Sequence, residues 1–147
     1  MALQATVPTH ELEFLGCRAR VLDSGDAAQD EPGVVDMIEV PAGHMPPLHV
    51  HHRQDEAFYL LEGEATLYMP GEQVTLRAGD YFRAPRGIPH AYRVGDAPAR
   101  WLVISAPAGF ERFVAEVAEE GIANPAALTE AAARYDIEIL GPPGTLP

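Results

Sequence analysis

Between Arg18 and Ser105 the chain is cut into short β-prone runs, and this punctuation limits the fold more than any other feature. The runs are Arg18 to Leu22, Val34 to Val40, Leu48 to His51, Ala57 to Leu61, Glu64 to Met69, Gln73 to Leu76, Tyr81 to Ala84, His90 to Val94 and Arg100 to Ser105. They are rich in Val, Leu, Ile, Tyr and Phe, and turn signals such as Glu62-Gly63, Pro70-Gly71 and Ala78-Gly79 separate them. Many short strands at near-regular spacing, with no helix between them, predict an antiparallel all-β sandwich or barrel.

After Pro107 the period changes. Phe110, Phe113, Val114 and Val117 recur at helical spacing, with Glu111, Glu116, Glu119 and Glu120 assigned to the opposite face. Asn124-Pro125 predicts the capped start of a second helix running to about Arg134. Ile137 to Leu140 then returns as an extended segment. At 147 residues the chain suits one domain, 1–147, with a barrel core over about 18–106 and a helical appendage over about 109–140.

Composition removes several function classes. The net charge of −12 disfavours nucleic acid and anionic membrane surfaces, whose binding rests on cationic contacts. No apolar run is long enough to span a bilayer, and Met1 to Ala5 lacks the cationic flank and apolar core of a secretory leader. Cys17 is the single cysteine, which suits a reducing compartment; a cytoplasmic location is expected. All 10 basic residues are Arg, so Schiff-base chemistry, pyridoxal phosphate attachment and the P-loop lack their lysine. The acidic stretch Asp23, Asp26, Asp30, Glu31, Asp36 does not have EF-hand spacing and reads as a solvated loop.

The chemistry concentrates in the histidines. Four of the 6 lie between Gly43 and His52. Residues two apart on a strand share a face, so His49 and His51 aim at one interior point. The turn His52-Arg53-Gln54-Asp55 then lets Glu56 open the next antiparallel strand beside the first. Pro85 to Pro89 forms a rigid turn, and His90 after it is expected to reach the same point from across the sheet. Three imidazoles and a carboxylate suit one divalent transition metal (Fe, Ni, Mn, Cu or Zn) and leave coordination positions open, as in catalytic sites. His-x-His alone is common by chance; two clusters, each with its glycines in place, are not. His10 and His44 read as structural or surface residues, and His52 as pointing to solvent.

Gly43, His49, His51, Glu56 and Gly63 resemble the first motif of the cupin superfamily at every position, and Gly79, Pro85, Gly87 and His90 resemble its second. Val94 stands where that second motif often ends in Asn. The resemblance implies an antiparallel double-stranded β-helix (jelly-roll barrel) and the metal ligands His49, His51, Glu56 and His90. The runs Pro46 to Phe58 and Pro85 to Ala91 look like the small bacterial cupins similar to quercetin dioxygenase. That subgroup implies a metal-dependent dioxygenase acting on an enol- or phenol-bearing, flavonol-like compound, with Glu56 as both ligand and catalytic base. A non-redox isomerase, cyclase or lyase and a non-catalytic metal-dependent binding protein share the same ligands. By parity Phe58 and Leu60 on the strand of Glu56, and Tyr92 on that of His90, face the interior with Phe82 as a lining for an aromatic or other largely apolar ligand. A homodimer is expected, with Leu12 to Leu15 at or near its interface.

Overall fold

Between glycine and proline turns the Val-, Leu- and aromatic-rich runs pair as antiparallel strands. The computed structural model describes residues 10–147, so the reading of Met1 to Ala5 lies outside the described residues. In chain order the elements are β1 (Leu12–Phe14), β2 (Cys17–Ser24), β3 (Gly33–Val40), β4 (Leu48–His51) and β5 (Asp55–Glu62). Then follow β6 (Glu64–Met69), β7 (Glu72–Arg77), β8 (Tyr81–Ala84), β9 (Ala91–Val94) and β10 (Ala99–Ala106). Helices α1 (Phe110–Glu120) and α2 (Pro125–Ala133) precede a last strand, β11 (Ile137–Gly141).

The strands form a six-stranded sheet in the order β1-β2-β3-β10-β5-β8, a three-stranded sheet β7-β6-β9 and a pair β11-β4, every pairing antiparallel. This is the expected all-β class with C-terminal helices. β10 is the spine of the large sheet, since it pairs with β3 on one side and β5 on the other. Its sequence alternates accordingly: Trp101, Val103 and Ser105 are buried, while Leu102 and Ile104 are only half-buried. The inward row meets Leu67 and Tyr92 of the smaller sheet, and Tyr92 packs edge-on to Trp101 at 4.9 Å. β1 forms an outer edge of the large sheet, the segment at which a homodimer interface is expected.

The helices close one end of this sandwich. Phe113, Val114 and Val117 of α1 are buried, and Phe14 of β1 stands edge-on to Phe110 and Phe113. Asn124 caps α2 as expected, its Oδ1 accepting from the N–H groups of Ala126 and Ala127.

Two acidic residues depart from the sequence reading. Glu111 is not on the solvent face but buried, with its carboxylate accepting the Gly109 N–H at 2.6 Å and the Ser24 hydroxyl at 3.2 Å. Gly109 has no side chain to cap α1, so Glu111 satisfies that free N–H and ties the helix start to β2. Asp36 likewise leaves the acidic loop for β3, where it is buried and accepts two hydrogen bonds from Arg100, at 3.1 and 2.8 Å.

The turn between β5 and β6 depends on Gly63, which has φ +78° and would place a Cβ 2.7 Å from Pro98 O and 2.8 Å from Ala99 Cα. Gly79 has φ +93° but open space around it. Gly79→Ala should therefore cost only the left-handed backbone penalty, about 1–2 kcal/mol. Gly63→Ala adds a backbone collision and should lower the melting temperature further; equal thermal melts for the two variants would contradict this.

Candidate metal centre

Strand β4 carries His49 and His51 on one face, and the strand partners there are Ile139 and Ile137 of β11. On its other edge β4 meets His90 directly: His49 and His90 form an antiparallel bridge, each backbone N–H donating to the other's carbonyl, at 3.3 and 2.9 Å. Glu56 arrives from the facing six-stranded sheet, where its register partners are Ala84 and Ser105, both small and buried. The expected geography is thus exchanged. His90 is the neighbour of the His-x-His strand, and Glu56 is the residue that reaches across. The cause is that the Gln54-containing turn carries the chain from the β4 sheet to the large sheet instead of reversing it beside β4.

The four side chains still converge. Each offers a donor atom within 4.8 Å of all the others, His51, Glu56 and His90 being buried and His49 half-buried. Ligand bonds of about 2.0–2.2 Å around one ion require donors within about 4.4 Å of each other, so a small inward adjustment suffices. The hydrogen bonding favours the same use. His49 Nδ1–H donates to Pro47 O at 2.7 Å and His90 Nδ1 lies 3.3 Å from Ile88 O, which turns each Nε2 inward, that of His90 to 3.2 Å from Glu56 Oε2. Both ring nitrogens of buried His51 lack a well-aligned hydrogen-bond partner, although its Nε2 lies 2.6 Å from Glu56 Oε2. A buried imidazole left so fits the role of a metal ligand. The donor set fits a divalent transition metal.

Electrostatics hold the donors in their ligating forms. Burial, with the neighbouring His90 and His51, pushes His49 down to about 3, so it is neutral at ordinary pH. For Glu56 burial acts upward, but charge and hydrogen-bond interactions with His51 and His90 outweigh it and hold the carboxyl well below its usual range. Burial pushes the Cys17 thiol up to about 12, so it is not a thiolate.

His49, Glu56 and His90 form part of the lining of a cavity of about 60 Å³ that Phe58, Tyr92, Trp101 and Phe110 also line. Of the residues expected to line it, Phe58 and Tyr92 do so, whereas Leu60 and Phe82 do not. Leu60 lies two residues further along β5, about 7 Å from Phe58, and fills the core among Ala65, Leu67 and Leu76. Phe82 pairs with Phe58 on edge strand β8 and borders a separate surface depression with Leu67 and Val74. His52 is at the surface, 2.9 Å from Glu138.

His44 is the residue the sequence reading missed. It lines the cavity, donates Nε2–H to Leu15 O at 2.9 Å and accepts the Tyr92 hydroxyl at Nδ1, 3.2 Å away. Its turn is pinned by Gly43 N–H to Val94 O and by Val94 N–H to His44 O. Val94 therefore serves through its backbone, while its side chain is core. No local pattern marks His44, because its partner Tyr92 is 48 residues away.

Purified protein should carry close to one transition metal per chain, and His49→Ala or His90→Ala should lose most of it by elemental analysis. Full occupancy in His90→Ala would move the third imidazole elsewhere. Metal-free protein should also be acid-sensitive. His49 is depressed from 6.5 to about 3 on folding, so the unfolded chain binds the extra proton in that window. Its contribution is complete above about pH 6.5 and falls as pH drops toward 3; Glu56, also depressed, adds a loss in the same direction below its ordinary value of 4.5. Urea melts at pH 7 and pH 5 should show the loss, and His49→Gln should reduce it.

Residues 36–105 match the family model of the cupin domain. The chain is 31% identical over 80 residues to quercetin 2,3-dioxygenase of Bacillus subtilis, covering 54% of this chain and only 24% of that longer relative. It is 27% identical over 128 residues to the tetracenomycin polyketide synthase protein TcmJ of Streptomyces glaucescens, covering 86% of this chain and 84% of the relative. Among solved structures, the Streptomyces nucleoside dehydratase Pac13 superposes with a TM-score of 0.62 over 97% of this chain and 92% of its own, at 16% identity, a likeness of fold alone. With the antiparallel sheets and the His-x-His, Glu, His cluster already described, the family match makes residues 36–105 of this chain a cupin domain.

Proposed function

We propose that the protein is a metal-dependent dioxygenase acting on a small enol- or phenol-bearing compound of flavonol type. The observation that carries this reading is the position of the four-donor cluster at a cavity whose wall is otherwise almost wholly aromatic and aliphatic. Such a wall favours a ring-bearing ligand and keeps bulk water from the reacting group. The relative named quercetin 2,3-dioxygenase supports the choice of chemistry.

A divalent transition metal held by His49, His51, Glu56 and His90 supplies a Lewis acid for the substrate oxygen and a redox centre for dioxygen. This chain supplies the rest. Glu56, kept ionised by His51 and His90, takes the proton of the substrate hydroxyl at a carboxylate oxygen. The carbonyls of Pro47 and Ile88 fix the ring orientation of His49 and His90. The hydroxyl of Tyr92, donated to His44, leaves its oxygen as an acceptor within the cavity.

Oxygen uptake with a flavonol panel tests the reading. Glu56→Gln should reduce turnover by about 10²–10⁴-fold while part of the metal is retained. Turnover by the wild type should stop without oxygen and resume on aeration. Conversion that continues anaerobically would instead assign a Lewis-acid isomerase, cyclase or lyase to the same site.

A further inference from the structure

We propose that the groove bounded by α1, α2, β11 and the loop of residues 43–47 binds the ring body of the substrate, and that this body is a neutral, extended polycyclic phenol or enol. The inference rests on the functional reading above and adds to it where the bulk of the substrate lies and what sets its size and charge.

Volume forces the first step. The cavity at the metal ligands is about 60 Å³, whereas pockets that enclose a drug-sized ligand measure about 300–1,000 Å³. Only the reacting edge of a polycyclic molecule fits inside. Continuity supplies the second step. Leu15, His44, Pro46, Pro47, Leu128 and Ile139 line both that cavity and an outer groove of about 790 Å³. A molecule whose hydroxyl reaches Glu56 has its body in this groove.

The lining then restricts the chemistry. Glu13 is the only carboxylate among the described lining residues of the groove, and no Arg is among them. A phosphate, sulfate or carboxylate would find no counter-charge and would be repelled by Glu13. Pro46, Pro47, Pro142 and Pro143 instead present rigid apolar faces, which accept flat rings with little ordering of side chains. His44, at the boundary, already has both ring nitrogens engaged with Leu15 O and the Tyr92 hydroxyl, so it offers its ring face and no free donor.

Ala123 and Thr129 are exposed residues on the groove wall, so Ala123→Trp and Thr129→Trp narrow it without entering the core. The probes are quercetin, which needs the groove, and catechol, a one-ring phenol small enough not to reach it. Binding is measured by calorimetry on metal-loaded protein without oxygen, with metal content and thermal melts checked in parallel. At least one variant should weaken quercetin about tenfold or more while catechol changes less than about twofold, the steric loss being confined to the larger ring system. Unchanged quercetin affinity in both variants, equal losses for both probes, or a wild type that binds quercetin no better than catechol would overturn the proposal. Oxygen uptake in air separates the two readings: selective loss of quercetin in the variants with no uptake by the wild type would keep the groove and remove the dioxygenase.

Discussion

The candidate metal centre hangs on the backbone bridge between His49 and His90, because that bridge brings two distant segments to one point. The same local device is repeated on each side: the imidazole Nδ1–H is tied to the carbonyl two residues earlier, Pro47 O or Ile88 O, which sets the ring and its tautomer. Gly87 N–H donates to His51 O at 2.7 Å and extends the seam along β4. Two of the imidazoles are therefore oriented by main-chain groups, which substitution elsewhere alters little.

Glu56 stands apart from this seam and faces it from the other sheet. Small neighbours, Ala84 and Ser105, leave room beside it, and the facing histidines favour its ionised form. A buried carboxylate facing a buried imidazole whose ring nitrogens lack well-aligned partners is a partly satisfied polar network, which is costly in a low-dielectric interior. An ion would satisfy it, so folding stability and metal binding are linked at this site.

Much of this was legible in the order of residues. Period-2 runs and Gly/Pro punctuation located β4, β6 and β8 to the residue, and Asn124-Pro125 located the start of α2. The spacing of His49, His51, Glu56 and His90 identified the residues that converge, since parity and turn chemistry are local rules. Strand neighbours are not local. Nothing near Glu56 says that its strand joins β10 and β8 instead of β4, and nothing near His44 says that it meets Tyr92. Parity also reports only which face a residue takes, not its place along or across the sheet; Leu60 lies further along β5 than the cavity and Phe82 to one side of it on edge strand β8. Glu111 escaped because helical periodicity treats every carboxylate as solvated, whereas a helix start without a side-chain cap draws one in.

The pairing of β4 with β11 has a consequence for the order of assembly on the ribosome. β4 has its full-length strand partner only in β11, 86 residues downstream at the His51–Ile137 pair, and on its other side is held by the His49–His90 bridge and the Gly87–His51 bond. A chain emerging from its N-terminus can pair β2 with β3, and later β10 with both β3 and β5, while β4 still lacks its edge. The ligand-bearing strand is consequently secured last, after both helices have been synthesised. A nascent chain thus presents His49 and His51 on a strand with one edge unpaired until translation has passed Gly141.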